Sequence, residues 1–237
     1  IMNLAAASGE DLGSVSDIVT DALTAFRMNA EDAGRFADVL AQASSNANTN
    51  VGMMGATFQK VAPVAGALGY SVEDMSLAIG LMANASIKAD VAGTSLKTSL
   101  ANMAKPTKQM KAYMDRYGIS LTRSDGTMKT FREVVDNLRG SLGGLSEAEQ
   151  VAAATAIFGK ESFAGMLAVV NASDEDYKKL SDSINNAKGA AERMAAIKLD
   201  NLEGDITLMK SALDGLQIAI GDALLPCLLY TSPSPRD

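Results

Sequence analysis

Apolar residues recur along most of this chain at the three- and four-residue steps that are typical of amphipathic helices. One such face contains Met75, Ala78, Ile79 and Met82. It follows Ser71 and Asp74, which have the spacing at which a serine side chain and an acidic side chain cap the first amides of a helix. The same spacing recurs in Thr130 and Glu133, Ser146 and Glu149, and Ser173 and Asp176. The pattern predicts a mainly α fold, a multi-helix domain.

Glycines lie where these helical patterns end, as expected for residues that follow a helix C-terminus. They are Gly69, Gly118, Gly143, Gly144 and Gly159. Only residues 119–129 break the helical rhythm: apolar and polar residues alternate at their start, and an Asp-Gly pair at 125–126 favours a tight turn. This segment is predicted to form one short β-hairpin that packs on the helices, because an isolated hairpin is barely stable.

The longest apolar pattern runs from about residue 187 to residue 225 and predicts a long C-terminal helix. Its steps alternate between three and four residues, the heptad spacing that keeps one side of a helix facing a partner. We call this side the seam, and its predicted packing residues are Leu199, Leu202, Ile206, Met209, Leu213, Leu216 and Ile220. Two interpretations stay open: a long helix packed on its own domain, or the start of an extended helical rod.

These patterns divide the chain into a helical region over residues 1–186 and the seam helix over residues 187–226. Residues 227–237 differ abruptly in composition and resemble translated sequencing-adaptor read-through, so we expect them not to contribute to the fold. The chain opens inside a continuing helical pattern, which indicates a fragment whose N-terminus is truncated. No apolar run reaches the roughly 20 residues of a membrane-spanning helix, and no signal peptide precedes the pattern.

The amino-acid composition argues against most kinds of enzyme active site. The chain has no histidine and one cysteine, which argues against histidine-based triads, common zinc sites and internal disulfides. Candidate paired carboxylates are Glu73 with Asp74 and Glu147 with Glu149, but each pair lies in the first turn of a predicted helix, where acidic groups offset the helix dipole. We therefore predict a non-enzyme with no catalytic, cofactor-binding or metal-binding residues.

The charge is uneven along the chain. The net charge is −7, and residues 105–132 hold seven basic against two acidic residues, whereas both flanking regions are acidic. The overall sign argues against binding to duplex DNA and to specific nucleic-acid sequences, since DNA-binding proteins are normally basic. The basic middle is interpreted first as a solvated face and second as a ligand patch.

Four stretches, taken in order and spacing, resemble the core region of phage tail tape measure proteins, also called minor tail proteins. They cover residues 69–107, 117–138, 155–170 and 199–226, and the resemblance extends over about residues 8–226. Its most specific pieces are the Ala-Gly-Thr-Ser-Leu run at residues 92–96, the Ile-Phe-Gly turn at 157–159, and Ile220, Gly221 and Pro226. The fragment lacks the long downstream coil of that family and any cell-wall hydrolase module.

The resemblance implies a structural role in the virion. In that family a long helical protein fills the lumen of the tail tube, sets tube length during assembly in the host cytoplasm, and takes part in genome ejection. The implied partners are the tail tube protein, tail assembly chaperones and baseplate or tip proteins, with self-association and host membrane contact during ejection as further expectations. The alternatives are a membrane-active helical module and a cell-wall-degrading tail enzyme that uses carboxylates.

Overall fold

The computed structural model describes residues 1–200 and Met209, and within them it contains twelve α-helices, one 3₁₀ turn and no β-strand. The helices are α1 (Met2–Ser8), α2 (Leu12–Ala25), α3 (Ala33–Asn46), α4 (Val51–Ala67), α5 (Val72–Asn84), α6 (Ala89–Ala104), α7 (Lys108–Arg116), α8 (Phe131–Leu142), α9 (Glu147–Phe158), α10 (Phe163–Val170), α11 (Asp174–Asn185) and α12 (Ala190–Leu199). The 3₁₀ turn spans Ala30–Asp32 and precedes α3. The predicted mainly α fold is confirmed.

Two neighbouring helices, α4 and α6, form the most extensive helix pair, and α2 packs on another side of α4. Helix α5 lies between α3, α10 and α11, while α9 contacts α6, α7 and α10. The largest fully buried side chains include four phenylalanines, Phe36, Phe58, Phe131 and Phe158. They belong to one continuous apolar core that joins all of these helices, and its burial is the main stabilising contribution.

The predicted helix starts are confirmed at the expected residues. The Ser71 hydroxyl accepts a hydrogen bond from the Asp74 amide at 3.1 Å, and the Ser173 hydroxyl accepts one from the Asp176 amide at 3.0 Å. At Thr130 and Ser146 the acidic residue three positions later also accepts from the cap amide, which completes the reciprocal cap. Gly143 follows the end of α8 as predicted, but its φ of −63° is not the left-handed conformation that such glycines commonly adopt.

The predicted β-hairpin at residues 119–129 is not confirmed. The segment turns back on itself, but it makes one isolated antiparallel bridge, between Thr122 and Met128. Beside this bridge the Arg123 amide donates to the Thr127 carbonyl at 2.8 Å, but the Thr127 amide, which would return the bond in a strand ladder, donates instead to the Asp125 carboxylate at 2.9 Å. The Ser120 hydroxyl also accepts from the Thr122 amide. These local side-chain hydrogen bonds favour a looped turn over two paired strands.

The predicted long C-terminal helix is described only at its start. Helix α12 begins at Ala190 and ends at Leu199, where Asp200 leaves the helical conformation with φ −82° and ψ 55°. The structure therefore does not confirm one unbroken helix through this point. Met209 is helical, and the other residues after Asp200, including 227–237, lie outside the described part of the chain.

Candidate interaction surfaces

Two of the seven predicted seam residues lie in the part of the chain that the structure describes. Leu199 is half-buried at the end of α12, and Met209 is 58% exposed. Leu202, Ile206, Leu213, Leu216 and Ile220 lie outside the described residues. The seam as a packing surface therefore stays a prediction.

Helix α12 packs against α1 and α3, and a single carboxylate fixes its start. The two Asp38 oxygens accept hydrogen bonds from the Gly189 amide at 2.7 Å and from the Ala191 amide at 3.0 Å. Gly189 has a φ of +74°, which a side chain would strain, and it has no side chain with which to cap the helix. A negative charge at this position both satisfies unpaired amides and offsets the helix dipole. Ala190, Ala191 and Ala195 of this helix are buried.

The first resemblance motif, residues 92–96, is a helix contact in the structure. Gly93 of α6 approaches α4 so closely that a Cβ atom there would lie 3.0 Å from the Thr57 carbonyl oxygen. The Thr57 hydroxyl donates to the Ala89 carbonyl at 2.9 Å, so the two helices are also linked by a hydrogen bond. Leu96, on the same helix, is fully buried. The motif thus fixes the distance between α4 and α6.

The second motif, the turn at residues 157–159, joins α9 to the same helix. Phe158 is fully buried, and its carbonyl accepts a hydrogen bond from the Asn102 amide nitrogen at 2.8 Å. The Ser95 hydroxyl donates to the Ser162 carbonyl at 2.8 Å, just after the turn. Gly159 has a φ of +92° and ends α9. Both motifs therefore position α6 between its neighbours.

Two arginines of α8 link this helix to distant segments through polar contacts. The Arg132 guanidinium donates to the Asp74 carboxylate at 3.1 Å, to the Ser181 hydroxyl at 2.7 Å and to the Asn185 amide oxygen at 2.8 Å. The side chains of Arg132 and Asp74 are 28% and 11% exposed, so the pair is partly shielded from water. One side chain therefore connects α5, α8 and α11.

Arg139 closes the end of α10 in a similar way. Its guanidinium donates to the carbonyls of Val170 at 3.3 Å and Ala172 at 2.7 Å, pairs with the Asp174 carboxylate, and lies 5.2 Å from the centre of the Tyr177 ring. A cation at the carbonyl end of a helix is stabilising. The sequence pattern did not reveal this role or that of Arg132.

The carboxylates considered for hydrolysis have structural partners in three of four cases. The two Glu73 oxygens accept from the Arg35 guanidinium at 2.7 and 2.8 Å, Asp74 binds Arg132, and Glu149 caps the amide and hydroxyl of Ser146. The Ser146 hydrogen bonds lower the pKa of Glu149. A carboxylate whose pKa is lowered favours the charged state, so Glu149 suits capping better than proton donation.

The basic middle is divided between paired and unpaired side chains. Lys111 pairs with Asp115 at 2.8 Å, Arg123 pairs with Glu133, and Arg132 pairs with Asp74. Lys105, Lys108, Arg116 and Lys129 have no carboxylate within ion-pair distance among the described residues. The region is therefore neither wholly neutralised nor one uniform cationic patch.

No group of acidic side chains within residues 1–200 and Met209 is arranged to hold a metal ion. None of the helices in this part of the chain combines the length and the apolar character needed to cross a bilayer.

Two known proteins are similar to this chain in sequence. The chain is 36% identical to the "tape measure protein" of Pneumococcus phage Dp-1 over 228 residues, which is 96% of this chain and 20% of that protein. It is 23% identical to the "probable tape measure protein" of Escherichia phage P2 over 218 residues, 91% of this chain and 27% of the relative. The chain thus spans about a fifth to a quarter of the length of these relatives. No solved structure matches the fold significantly.

The family whose description is "phage-related minor tail protein" matches residues 1–159, which include α1–α9 and both motifs described above. Because this match covers more than half of the chain, and the similarity to the relatives continues beyond it, the chain belongs to the phage-related minor tail protein family.

Proposed function

We propose that this chain is a structural region of a phage tail tape measure protein, and that the parent protein sets the length of the tail tube. The observation that carries the proposal is the 36% identity to a named tape measure protein across nearly the whole chain. The structure supports it because the residues of the resemblance motifs, such as Gly93 and Phe158, hold helices together.

In this role residues 1–200 act as a packed helical module at the start of a rod formed by the seam region. The parent protein would occupy the lumen of the tail tube, with tail tube protein, assembly chaperones and baseplate or tip proteins as its partners. On ejection it would leave before the genome and contact the host membrane. These finer roles are extensions of the family relationship.

The test changes the length of the seam region inside the full parent gene. Deleting residues 202–222, which are three heptads, should shorten the tail by about 32 Å at 1.5 Å per residue. Duplicating the same residues should lengthen the tail by about the same amount. Tail lengths are measured in electron micrographs of purified virions.

The matched control inserts a flexible segment of the same length between Asp125 and Gly126, in the exposed turn before α8. The insertion adds residues to the packed module but adds nothing to a rod, so tail length should stay unchanged. Equal lengthening by the insertion and the duplication would contradict a ruler located in the seam. Unchanged tails in the deletion and the duplication would instead place the seam in a docking domain.

A further inference from the structure

A groove between the end of α6, α7 and the turn at residues 119–129 has no role in the packing described above. Its volume is about 380 Å³, and it is lined by apolar side chains, including Met103, Met114, Ile119 and Leu121. Each of these four is less than 8% exposed, so they form a floor rather than a projecting patch. Met128, at the edge, is 37% exposed. Methionine-rich surfaces adapt to varied apolar side chains.

The edge of this groove is basic. Lys111 lines the groove, and its ion pair with Asp115 is more than 60% exposed on both sides. Lys108 precedes Lys111 by one helical turn, on the same side of α7. Lys105 follows the end of α6, and both Lys105 and Lys108 are exposed without a carboxylate partner in the part of the chain that the structure describes. The groove therefore has an apolar floor and the Lys111–Asp115 ion pair in its lining, and two unpaired lysines lie close to it in the chain.

Residues 200–226 have the opposite character. They contain five acidic residues and one basic residue, and they carry the apolar seam. Met209, the seam residue described in this segment, is 58% exposed, so a single copy of the chain leaves it uncovered. A groove of about 380 Å³ lies near the small end of ligand pockets, so it suits a few seam side chains rather than a whole helix.

We propose that the groove binds the seam segment, residues 200–226, of a second copy of this chain. Apolar seam side chains enter the methionine-lined floor, and the acidic residues beside them face Lys105, Lys108 and Lys111. The contact is between unlike surfaces of two copies, so its repetition produces a chain of copies or a closed ring, of which reciprocal exchange between two copies is the smallest. The proposal does not depend on the role in setting tail length.

The test uses residues 1–237 and measures, by sedimentation over a range of concentrations, the average mass of the particles that the chain forms in solution. We expect reversible association in ~0.1 M salt and weaker association in ~1 M salt, where the Debye length falls from about 10 to 3 Å. The variant Lys105→Glu/Lys108→Glu should weaken association by about tenfold or more, because two attractive pairs become repulsive. Glu at position 108 suits the first turn of α7, so the fold should be retained.

Two further variants and one mixture locate the contact. Lys178→Glu/Lys179→Glu makes the same charge change on the exposed face of α11 and should leave association unchanged. Asp205→Lys/Asp214→Lys should weaken association as the groove variant does. A mixture of the groove variant and this segment variant should recover association, because each mixed contact again joins opposite charges.

A bulky side chain tests the apolar floor without changing charge. Ala104 is exposed and lines the groove, so Ala104→Trp should fill it and weaken association, whereas Ala152→Trp, on the exposed side of α9, should not. Three results would overturn the proposal: a monomer at every concentration, equal effects of the α7 and α11 charge changes, or a mixture that fails to recover association. Equal effects of the two tryptophans would do the same.

Discussion

The helices in the first half of the described chain are joined by one kind of contact, and those in the second half are joined by another. Around α4 the helices meet through glycines: Gly55 faces Ile18, Gly66 faces the Ala25 backbone, and Gly93 of α6 faces Thr57. We call these the glycine contacts. Around α8 the helices are joined through Arg132 and Arg139, which we call the arginine contacts.

Because of this difference, the two kinds of contact should be sensitive to different substitutions and to different salt conditions. A glycine contact depends on shape, because backbone atoms lie where a Cβ would be, so the size of the side chain matters and the salt concentration does not. An arginine contact depends on charge and on hydrogen-bond direction, so it tolerates small changes of volume but not the loss of donors. Three substitutions, each with a control, separate these two behaviours.

The largest effect is expected at Gly66. A Cβ there would overlap the Ala25 carbonyl oxygen, a backbone atom that can move only with α2. Gly66→Ala should therefore lower the free energy of unfolding by about 2–3 kcal/mol, within the usual range for overpacking. Urea denaturation in ~0.1 M and ~1 M salt should give the same loss.

The control for Gly66 is Gly140→Ala in α8. A Cβ at Gly140 meets nothing within 4 Å, so the change should raise stability by up to about 1 kcal/mol through helix propensity alone. If both alanines raise stability, the close approach of α2 and α4 is not what Gly66 provides. A clear salt dependence of the Gly66→Ala loss would also contradict a contact based on shape.

Arg132→Met should have the next largest effect. The methionine keeps the apolar stem but removes hydrogen bonds to three residues and leaves Asp74, which is 11% exposed, without its cation. We expect a loss of about 1–2 kcal/mol, since both groups retain some contact with water. Part of this loss should disappear in ~1 M salt. Arg116→Met, on the exposed side of α7, is the control and should change stability little.

Arg139→Lys tests whether the geometry of the guanidinium matters or only its charge. A lysine keeps the charge but cannot reach the Val170 and Ala172 carbonyls together with Asp174, so a loss of about 1 kcal/mol is expected. Asp174 is fully exposed, so Asp174→Asn should have almost no effect. An equal loss in both variants would show that the ion pair, and not the closing of α10, stabilises this corner.

These contacts also show what the sequence could reveal. Helix starts at Ser71, Thr130 and Ser173 were predictable because the cap and its partner are three residues apart. The partners of Arg132 are 49 to 58 residues away, and Asp38 lies 151 residues before Gly189. No local pattern distinguishes these side chains from ordinary exposed charges, so only the fold identifies them.

The turn at residues 119–129 shows a different reason for failure. Its local pattern predicted strands, but other local interactions compete with strand pairing there. Alternation and an Asp-Gly pair indicated strands, but the Asp125 side chain binds the Thr127 amide, which a ladder would use, and the pairing is limited to one bridge. The family relationship came from residues 92–96 and 157–159, whose packing roles are visible only in the structure. The groove beside α7 was also hidden, because its floor comes from three separate segments.

The smallest effect is a pH dependence at the start of α8. Hydrogen bonds from Arg123 and then from the Thr130 amide lower the pKa of Glu133 from 4.5 to about 2. A carboxyl whose folded pKa is lowered stabilises the fold above its unfolded pKa, and this contribution is lost as the pH falls from about 4.5 through about 2. Glu133→Gln should therefore reduce the drop in urea midpoint between pH 7 and pH 3.

Glu147→Gln is the control for this change, because Glu147 lies in the first turn of α9 and makes no side-chain hydrogen bond among the described residues. The chain has no histidine, so the midpoint should be nearly flat between pH 6 and pH 8 in every variant. If the urea midpoint falls by the same amount in Glu133→Gln and in wild type between pH 7 and pH 3, neither the Arg123 pair nor the hydrogen bond from the Thr130 amide to Glu133 persists in solution. The turn before α8 would then be held by the side-chain cap of Thr130 alone, and charge would stabilise this half of the molecule only where Arg132 and Arg139 are partly buried.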